Sequence, residues 1–259
     1  MKIIKWLCQP LFIFCSFPLW AQTELTILTS HEPPMNFEQD GEINGIITDY
    51  VKLLMQHVDV KNEIQIAPWA RVLEAGMQQP NTLIFSAERN AQREEHFYWI
   101  GPVMAKRWYF IARNATPFPY QQLKQYKHVD SIGVLRADNR ETWLKAQGFT
   151  NYYPVSNLEQ AYKMLMSERL DLVLTGDIEH AYMLSHHPEY RSLVTVFYVN
   201  TAYSYLALSH NTQATVLTQW RDAFEEQKFS PELQQIQQNW SKKLGQELQL
   251  NNGMFEFSN

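Results

Sequence analysis

The strongest constraint on the fold is an alternation of short apolar runs with amphipathic stretches of about ten residues. Residues 25–29 (LTILT) are rich in leucine and β-branched residues, as in a buried parallel strand. In residues 48–58, apolar side chains recur three and four positions apart, with Thr48 or Asp49 as the cap, which predicts an amphipathic helix. Strands that alternate with helices in this way predict an α/β fold with a mostly parallel sheet.

The same alternation continues along the chain. It predicts strands at residues 63–67, 82–86, 103–112, 131–135, 152–155, 170–175, 193–199 and 203–208, and helices at 68–77, 140–147, 157–169 and 177–185, from 212 and from 231. The segment 113–120 (RNATPFPY) contains two prolines and few core residues, so it predicts a crossing between two lobes. Residues after Leu250 are expected to be loose.

The N-terminus predicts export. Lys2 and Lys5 precede a mostly apolar, proline-interrupted run that ends at Ala21, which is typical of a secretory signal peptide cleaved after Ala21. The run is too short and too broken by proline for a membrane span. Cys8 and Cys15 both lie inside it, so a mature chain would have no cysteine for disulfides, thiol catalysis or metal binding. We therefore expect a soluble protein of the periplasm.

Charge and length exclude other classes. The chain has 22 Lys and Arg against 27 Asp and Glu, and removal of the two signal-peptide lysines shifts the formal charge from -5 to -7. No basic face predicts nucleic-acid binding, and no second apolar run predicts a membrane span. With 259 residues, the chain can form one large or two small domains.

Two arginines make the segment 85–102 (FSAERNAQREEHFYWIGP) a candidate binding element. Arg89 and Arg93 follow a predicted strand and precede a dense aromatic run. A guanidinium donates two parallel charge-assisted hydrogen bonds to a carboxylate, which indicates a small anionic ligand. The alternative is a solvated helical turn in which Glu94 and Glu95 pair with the arginines.

Six motifs occur in a familiar order. They are EPPMNF, DGEINGIITDYVKLLM, PWARVLEAG, SAERNAQREEHFYWIGP, SIGVLRADN and RLDLVLTGDIEHAYML. With them, nearly the whole mature chain resembles the periplasmic solute-binding proteins of the polar amino acid type, family 3 of the bacterial extracellular solute-binding proteins.

The resemblance implies a type 2 periplasmic-binding fold, a clamshell of two α/β lobes joined by two crossover strands. Each lobe would be a mostly parallel sheet flanked by helices. Residues 22–112 and 205–259 would form lobe one and residues 113–204 lobe two, after a signal peptide at 1–21. The ligand would bind in the cleft, where strand ends and helix N-termini meet.

The resemblance also implies roles for single residues. It assigns the ligand's carboxylate to Arg93, with Arg89 as an additional cation, and a stacking role to Trp69. Asp177 matches the acid that receives the ligand's amino group. Glu32 lies near a position where the family places a stacking aromatic, which a carboxylate cannot replace. We therefore expect Glu32 and Asp177 to face cationic groups of a zwitterionic or polycharged ligand, and Arg93 an anionic one.

Three more residues complete the predicted ligand site. They are Ser86, at the end of a strand, and Asp138 and Asn139, in a loop that replaces a Gly-Thr-rich one of the family. Glu88 and Asn90 take places where the family commonly has Ser or Thr hydroxyls. These departures predict a more strongly charged cleft and a different ligand.

Plainer interpretations remain open for several of these residues. Trp69 could be core filler at a helix start, and Asp177 could serve as the N-cap of its helix. His180, His186 and His187 have no acidic or thiol partner at a recognisable spacing, so no metal is expected. No cofactor is predicted.

The sequence leads to one function and two alternatives. The first is a monomeric, non-enzymatic protein that closes around a small molecule and delivers it to an ABC transporter permease or reports it to a membrane sensor. An alternative is a periplasmic enzyme similar to the dehydratases that use this fold, with Glu32 or Glu88 as general acid or base. A signalling or accessory protein without a transport role is the other.

Overall fold

The structure is a computed structural model that describes residues 25–114 and 120–257. The predicted signal peptide and most of the predicted crossing segment lie outside these residues. The strands are β1 (Thr26–Thr29), β2 (Phe37–Gln39), β3 (Glu42–Asn44), β4 (Ile64–Ile66), β5 (Thr82–Glu88), β6 (Phe97–Ala112), β7 (Ile132–Leu135), β8 (Tyr152–Val155), β9 (Leu172–Gly176), β10 (Val194–Ser209), β11 (Leu248–Asn251) and β12 (Met254–Phe257). The helices are α1 (Ile46–His57), α2 (Trp69–Gln78), α3 (Asn139–Ala146), α4 (Leu158–Met166), α5 (Asp177–His186), α6 (Ala214–Gln227) and α7 (Pro231–Leu244).

One large sheet runs through the molecule in the order β4-β1-β5-β10-β6-β9-β7-β8, and the hairpin β11-β12 joins it along β6. At one end β1 pairs in parallel with β4 and β5, and at the other β7 pairs in parallel with β8 and β9. Between them, β6 and β10 are antiparallel to each other and to their outer neighbours. The predicted two-lobed α/β fold is thereby confirmed. Lobe one is built around β4, β1 and β5, and lobe two around β9, β7 and β8.

The two central strands are longer than the sequence predicts. β6 and β10 have 16 residues each, whereas two separate strands, 193–199 and 203–208, were expected for the second. The expected break does not occur because Asn200 pairs with Trp108 of β6, and the ladder continues on both sides. The mismatch is absorbed by three register shifts rather than by a turn. β6 and β10 thus run side by side from one lobe into the other as the crossover strands.

Each lobe has an apolar core on both faces of its part of the sheet. In lobe one, the larger core lies under α1, α6 and α7 and includes Tyr50 and Trp220, while a smaller core lies under α2. In lobe two, one core surrounds Phe110 and Tyr126, and the other lies under α4 and α5. Ile178 of α5 packs into the larger core of lobe one. Helix α5 therefore contacts both lobes.

Residues 248–257 form a regular hairpin, so the expectation of loose residues after Leu250 is wrong for residues 251–257. β11 and β12 form an antiparallel hairpin whose turn has positive φ at Asn252 and Gly253. Phe255 pairs with Met104 of β6 and is fully buried in the larger core of lobe one. The alternating apolar residues of the hairpin bury one of its faces against that core.

Candidate functional site

A cavity of about 1020 Å³ lies between the two lobes. Lobe one contributes the loop after β1, the end of β5 and the start of α2, while lobe two contributes the N-terminal parts of α3 and α4 and one face of α5. Ligands of open α/β sheets bind at such an edge, where strand ends and helix N-termini meet. Six residues predicted for the ligand site line the cavity: Glu32, Trp69, Ser86, Arg93, Asp138 and Asn139.

Arg93 lies half-buried in the lobe-one wall. Its guanidinium carbon is 5.3 Å from the ring centroid of Trp69, a cation–π contact that orients both side chains. Its Nη1 donates to the carbonyl oxygen of Glu88 at 3.0 Å. Burial lowers the pKa of Arg93, whereas the charges of Glu88 and Asp138 raise it. Nε and Nη2 donate to no partner among residues 25–114 and 120–257, so they can bind an anionic group.

Ser86 ties the end of β5 to the loop that carries Glu32. Its backbone has φ 60°, in the left-handed region that serine rarely adopts. Its hydroxyl donates to the side-chain oxygen of Asn36, and Asn36 donates to the carbonyl oxygen of Ser30. The backbone N–H of Glu32 in turn donates to Asn36 O at 2.7 Å. These bonds hold Glu32 at the cavity.

Lys106, on β6, is the cation at the base of the lobe-one wall. Its side chain is 2% exposed, and its ammonium nitrogen lies 2.9 Å from Glu32 Oε1 and 3.3 Å from Glu88 Oε1. Burial disfavours the charge, yet Glu32 and Glu88 raise the pKa of Lys106 above its ordinary value. Lys106 is therefore a charged, fully buried bridge between two acids.

Glu32 is the acid of this wall whose pKa lies near neutrality. Burial raises it to about 7, against the opposing pull of Lys106 and with a further contribution from Glu179. A carboxyl group of this kind exchanges its proton close to physiological pH.

Arg140 has the corresponding position in lobe two. Its Nε and Nη2 donate to the two oxygens of Asp138 at 2.6 and 3.0 Å, and its Nη1 donates to Glu179 at 2.9 Å. Asp138 also accepts from the Arg140 backbone N–H at 2.8 Å, which makes it the N-cap of α3. Burial opposes ionisation, but Arg140 keeps the pKa of Asp138 below its usual value. Arg140 and both acids are buried or nearly so.

The first turn of α3 contacts lobe one directly. Asn139 donates to the carboxylate of Glu88 and accepts from the side-chain amide of Asn90 at 3.2 Å. Arg140 lies 3.9 Å from Glu32 across the cleft. The walls of the cavity are therefore joined by polar contacts that can form or break as the lobes move.

Two of the predicted site residues do not line the cavity. Arg89 is exposed, pairs with Glu94 at 2.5 and 2.8 Å, and lies near the rings of Trp99 and Tyr205. This is the solvated ion pair that the plainer interpretation describes. A contact between Arg89 and the ligand stays a prediction.

Asp177 pairs with Arg107 outside the cavity lining. It is the first residue of α5 after the N-cap Gly176, and it accepts from the Arg107 side chain at 2.9 Å and the Arg107 backbone N–H at 3.1 Å. Its Oδ1 also accepts from the Ile178 N–H at 2.9 Å. Burial raises its pKa despite these bonds. Contact of Asp177 with the ligand's amino group also stays a prediction.

Sequence reasoning missed Lys106, Arg140 and Glu179 as site residues. Lys106 lies in an aromatic-rich strand beside Arg107, and its partner Glu32 is 74 positions away in the chain. The usable signal was the excess of acids at cleft positions, because buried carboxylates require nearby cations. That signal predicts that cations exist but not which ones.

Among residues 25–114 and 120–257, no group of three or more His, Cys, Asp or Glu side chains is placed to hold a metal ion. In the same part of the chain, no helix is both long and apolar enough to cross a membrane.

Two α/β lobes, a pair of crossover strands and a charged cavity between the lobes define a cleft-binding protein of the periplasmic-binding type. The chain belongs to the bacterial extracellular solute-binding proteins, family 3, whose sequence model matches residues 25–243. This confirms the resemblance. The hairpin β11-β12 lies beyond the matched residues. A search of the curated proteins finds no match to this chain.

Solved structures share the fold at low sequence identity. A histidine kinase sensor domain with similarity to periplasmic binding proteins aligns with a TM-score of 0.74 and 14% identity, covering 84% of this chain and 96% of that one. A P235GK mutant of ArgBP from T. maritima aligns with a TM-score of 0.72 and 14% identity, covering 84% and 95%. AncCDT-1, an ancestral amino acid-binding protein and precursor of cyclohexadienyl dehydratase, aligns with a TM-score of 0.71 and 16% identity, covering 84% and 95%.

Proposed function

We propose that this protein is a periplasmic solute-binding protein that captures a small, polar, carboxylate-bearing and amino-acid-like ligand between its lobes. The observation that carries the proposal is Arg93, which lies on Trp69 in the cavity wall with donor nitrogens that no described residue uses. A planar guanidinium on an aromatic ring is a preorganised receptor for a carboxylate. Ser86 and Asn139 contribute polar groups around it.

The protein would bind its ligand without turnover and pass it to an ABC transporter permease or a membrane sensor. Export to the periplasm fits both the family and the N-terminal sequence. Similarity to a histidine kinase sensor domain supports the sensor as a partner. Growth on the identified ligand after deletion of the protein distinguishes the two, since only loss of uptake should abolish growth on that ligand.

Isothermal titration calorimetry tests the carboxylate role. The standard L-amino acids are titrated into wild type and Arg93→Ala, with Arg221→Ala as the control, because Arg221 also lies near an aromatic ring, that of Tyr98, but outside the cavity lining. We expect Arg93→Ala to weaken the best ligand at least about tenfold, as for loss of a charge-assisted bidentate contact, and the control to leave it unchanged. Equal affinities of wild type and Arg93→Ala would remove the basis of the proposal.

A catalytic function is the second candidate because Glu32 has a pKa of about 7 and lies beside Lys106 in the cavity. That carboxyl could donate a proton to a leaving group and recover it at neutral pH. Mass spectrometry of a cyclohexadienyl carboxylate, after incubation with the protein, tests this candidate. Conversion by wild type that is lost in Glu32→Gln would establish the enzyme, whereas unchanged substrate would leave binding as the remaining candidate.

A further inference from the structure

We infer that a cationic nitrogen of the ligand binds between Glu32 of lobe one and Glu179 of lobe two, and that Asp177 does not fill this role. The inference rests on the proposed function, because it assigns the second pole of the same cleft. It narrows the ligand class to molecules with a carboxylate for Arg93 and an ammonium or guanidinium group for this acid pair.

The acid pair belongs to a buried network that is short of positive charge. Contacts of 2.6 to 3.9 Å connect four carboxylates and two cations, which are Glu32, Glu88, Asp138, Glu179, Lys106 and Arg140. Fully ionised, these six groups carry a net charge of -2. Unbalanced charge is unfavourable away from water, and the raised pKa of Glu32 is the expected response. A ligand cation would restore part of the balance.

Acceptor atoms on both walls of the cavity receive no hydrogen bond from the described residues. Glu179 is 4% exposed and uses only Oε1, which accepts from Arg140, while its Oε2 has no hydrogen-bond partner among the described residues. The buried hydroxyl of Thr175, which also lines the cavity, likewise lacks a partner there. Glu32 accepts from Lys106 at Oε1, and within residues 25–114 and 120–257 its Oε2 accepts no hydrogen bond. Buried polar atoms are normally paired, so Glu179 Oε2 and the Thr175 hydroxyl indicate a donor-bearing ligand, to which Glu32 Oε2 can add a further acceptor.

One guanidinium places the two acids next to each other. Arg140 contacts Glu179 at 2.9 Å through Nη1 and approaches Glu32 at 3.9 Å through Nη2. Both acids therefore lie beside the same guanidinium, one on each lobe, and a ligand cation that reaches both carboxylates would contact both lobes. Asp177, in contrast, already has three hydrogen bonds from Arg107 and Ile178 and lies outside the cavity lining.

Gly176 provides the space for Glu179. A Cβ at position 176 would overlap the carboxylate of Glu179, which lies against the glycine backbone. Gly176→Ala should therefore move this flexible side chain while it keeps every charge of the site. Because Gly176 has a negative φ of -86°, alanine is compatible with the backbone there.

Calorimetry with matched probes tests the assignment. The probes are the standard L-amino acids and, for each one that binds, its 2-hydroxy acid, which lacks the α-ammonium group; L-citrulline serves as the uncharged match for basic side chains. We expect Glu179→Gln and Gly176→Ala each to lower the affinity for the cationic probe at least about tenfold, and the affinity for its uncharged match less than about threefold. Asp177→Asn should change neither affinity more than about threefold.

The outcomes separate this inference from the proposed function. If Arg93→Ala abolishes binding but both Glu179→Gln and Gly176→Ala bind the cationic probe as wild type does, the acid-pair assignment is wrong and the proposed function stands. A tenfold loss confined to Asp177→Asn has the same meaning. If wild type binds no probe, or Arg93→Ala leaves every affinity unchanged, the proposed function fails and the assignment fails with it. Circular dichroism establishes that each variant is folded, and Gly176→Ala carries the test if Glu179→Gln is not.

Discussion

Lys106 shows at the scale of single residues how charge holds the cavity wall together. Its ammonium group is the cation that contacts both Glu32 and Glu88, and all three are largely buried. A buried ion pair need not stabilise a fold more than apolar residues would, but removal of one partner leaves the others uncompensated. The wall of the cleft is thus sensitive to the loss of Lys106.

We expect Lys106→Met to lower the free energy of unfolding by about 3–5 kcal/mol, because methionine fills the space but leaves two buried carboxylates without their cation. Urea denaturation followed by tryptophan fluorescence measures the change. Lys163→Met is the matched control, since Lys163 forms an exposed helical pair with Glu159 and its loss should leave the midpoint almost unchanged. Equal midpoints for wild type and Lys106→Met would contradict the bridging role.

Glu32 makes stability depend on pH in a defined direction. Burial raises its pKa from 4.5 to about 7, so between these values the folded protein holds a proton that the unfolded chain has released. The contribution of Glu32 to stability is therefore present at acidic pH and lost as the pH rises through 7. Glu32→Gln removes this dependence. The unfolding free energy of Glu32→Gln minus that of wild type should therefore rise by on the order of 1–3 kcal/mol from pH 5 to pH 8, because the wild-type value falls.

Glu141 provides a control of opposite sign. Burial opposes its ionisation, but Lys145 and the Ala137 N–H lower its pKa. Its contribution is therefore present at neutral pH and lost as the pH falls below 4.5. The stability of Glu141→Gln should therefore approach that of wild type in acid. For Glu32, the contradicting result is a stability difference between Glu32→Gln and wild type that stays constant from pH 5 to pH 8.

Residues of the site differ in how far sequence could predict them. Arg93 and Trp69 could be placed because local motifs mark their positions, and the structure brings the two together. Lys106 and Glu179 could not, because their partners come from distant segments and nothing near them in the chain identifies a buried charge. Asp177 is the opposite case. Its local motif matches a ligand-binding acid, but the motif does not reveal that the carboxylate accepts a hydrogen bond from Arg107.

At the scale of elements, the C-terminal hairpin extends the core of lobe one. Phe255 is fully buried and stacks edge-on with Tyr50 of α1, at 5.9 Å between ring centroids. Phe257 is also buried, and its carbonyl oxygen accepts from Arg107 at 3.0 Å. The hairpin thus connects residues 248–257 to α1 and to the crossover strand β6.

Phe255→Ala should destabilise the protein by about 3–5 kcal/mol, because it removes a large buried ring and leaves a cavity between the hairpin and α1. Thermal unfolding measured by circular dichroism gives the change. Phe229→Ala is the control, since that ring is 63% exposed and should contribute little. Equal melting temperatures for wild type and Phe255→Ala would show that the hairpin does not belong to the core.

Strand and helix types were predictable where hydrophobic periodicity is strong, as in α1 and β1. The lengths of β6 and β10 were not, because Asn200 and its neighbours resemble a turn until their partner strand is known. The order of the hairpin was missed for a similar reason. Its two strands have four residues each, and they are stabilised by a core that other parts of the chain provide.

At the scale of the whole molecule, β6 and β10 connect two lobes that also touch through the first turn of α3. The contacts of Asn139 with Glu88 and Asn90 join the walls of the cavity directly. A ligand that contacts both walls adds to these contacts and shifts the population toward the closed form. Arg93 on one wall and Glu179 on the other would provide such contacts.

Native mass spectrometry of the protein isolated from periplasm tests the central claim, the capture of a carboxylate-bearing solute through Arg93, most directly. Wild type should carry a non-covalent small molecule whose fragments include a carboxylate, and the same preparation of Arg93→Ala should lack it while remaining folded. Retention of the same molecule by Arg93→Ala, or a wild type that carries none and binds none of the amino acids added to it, would contradict the claim.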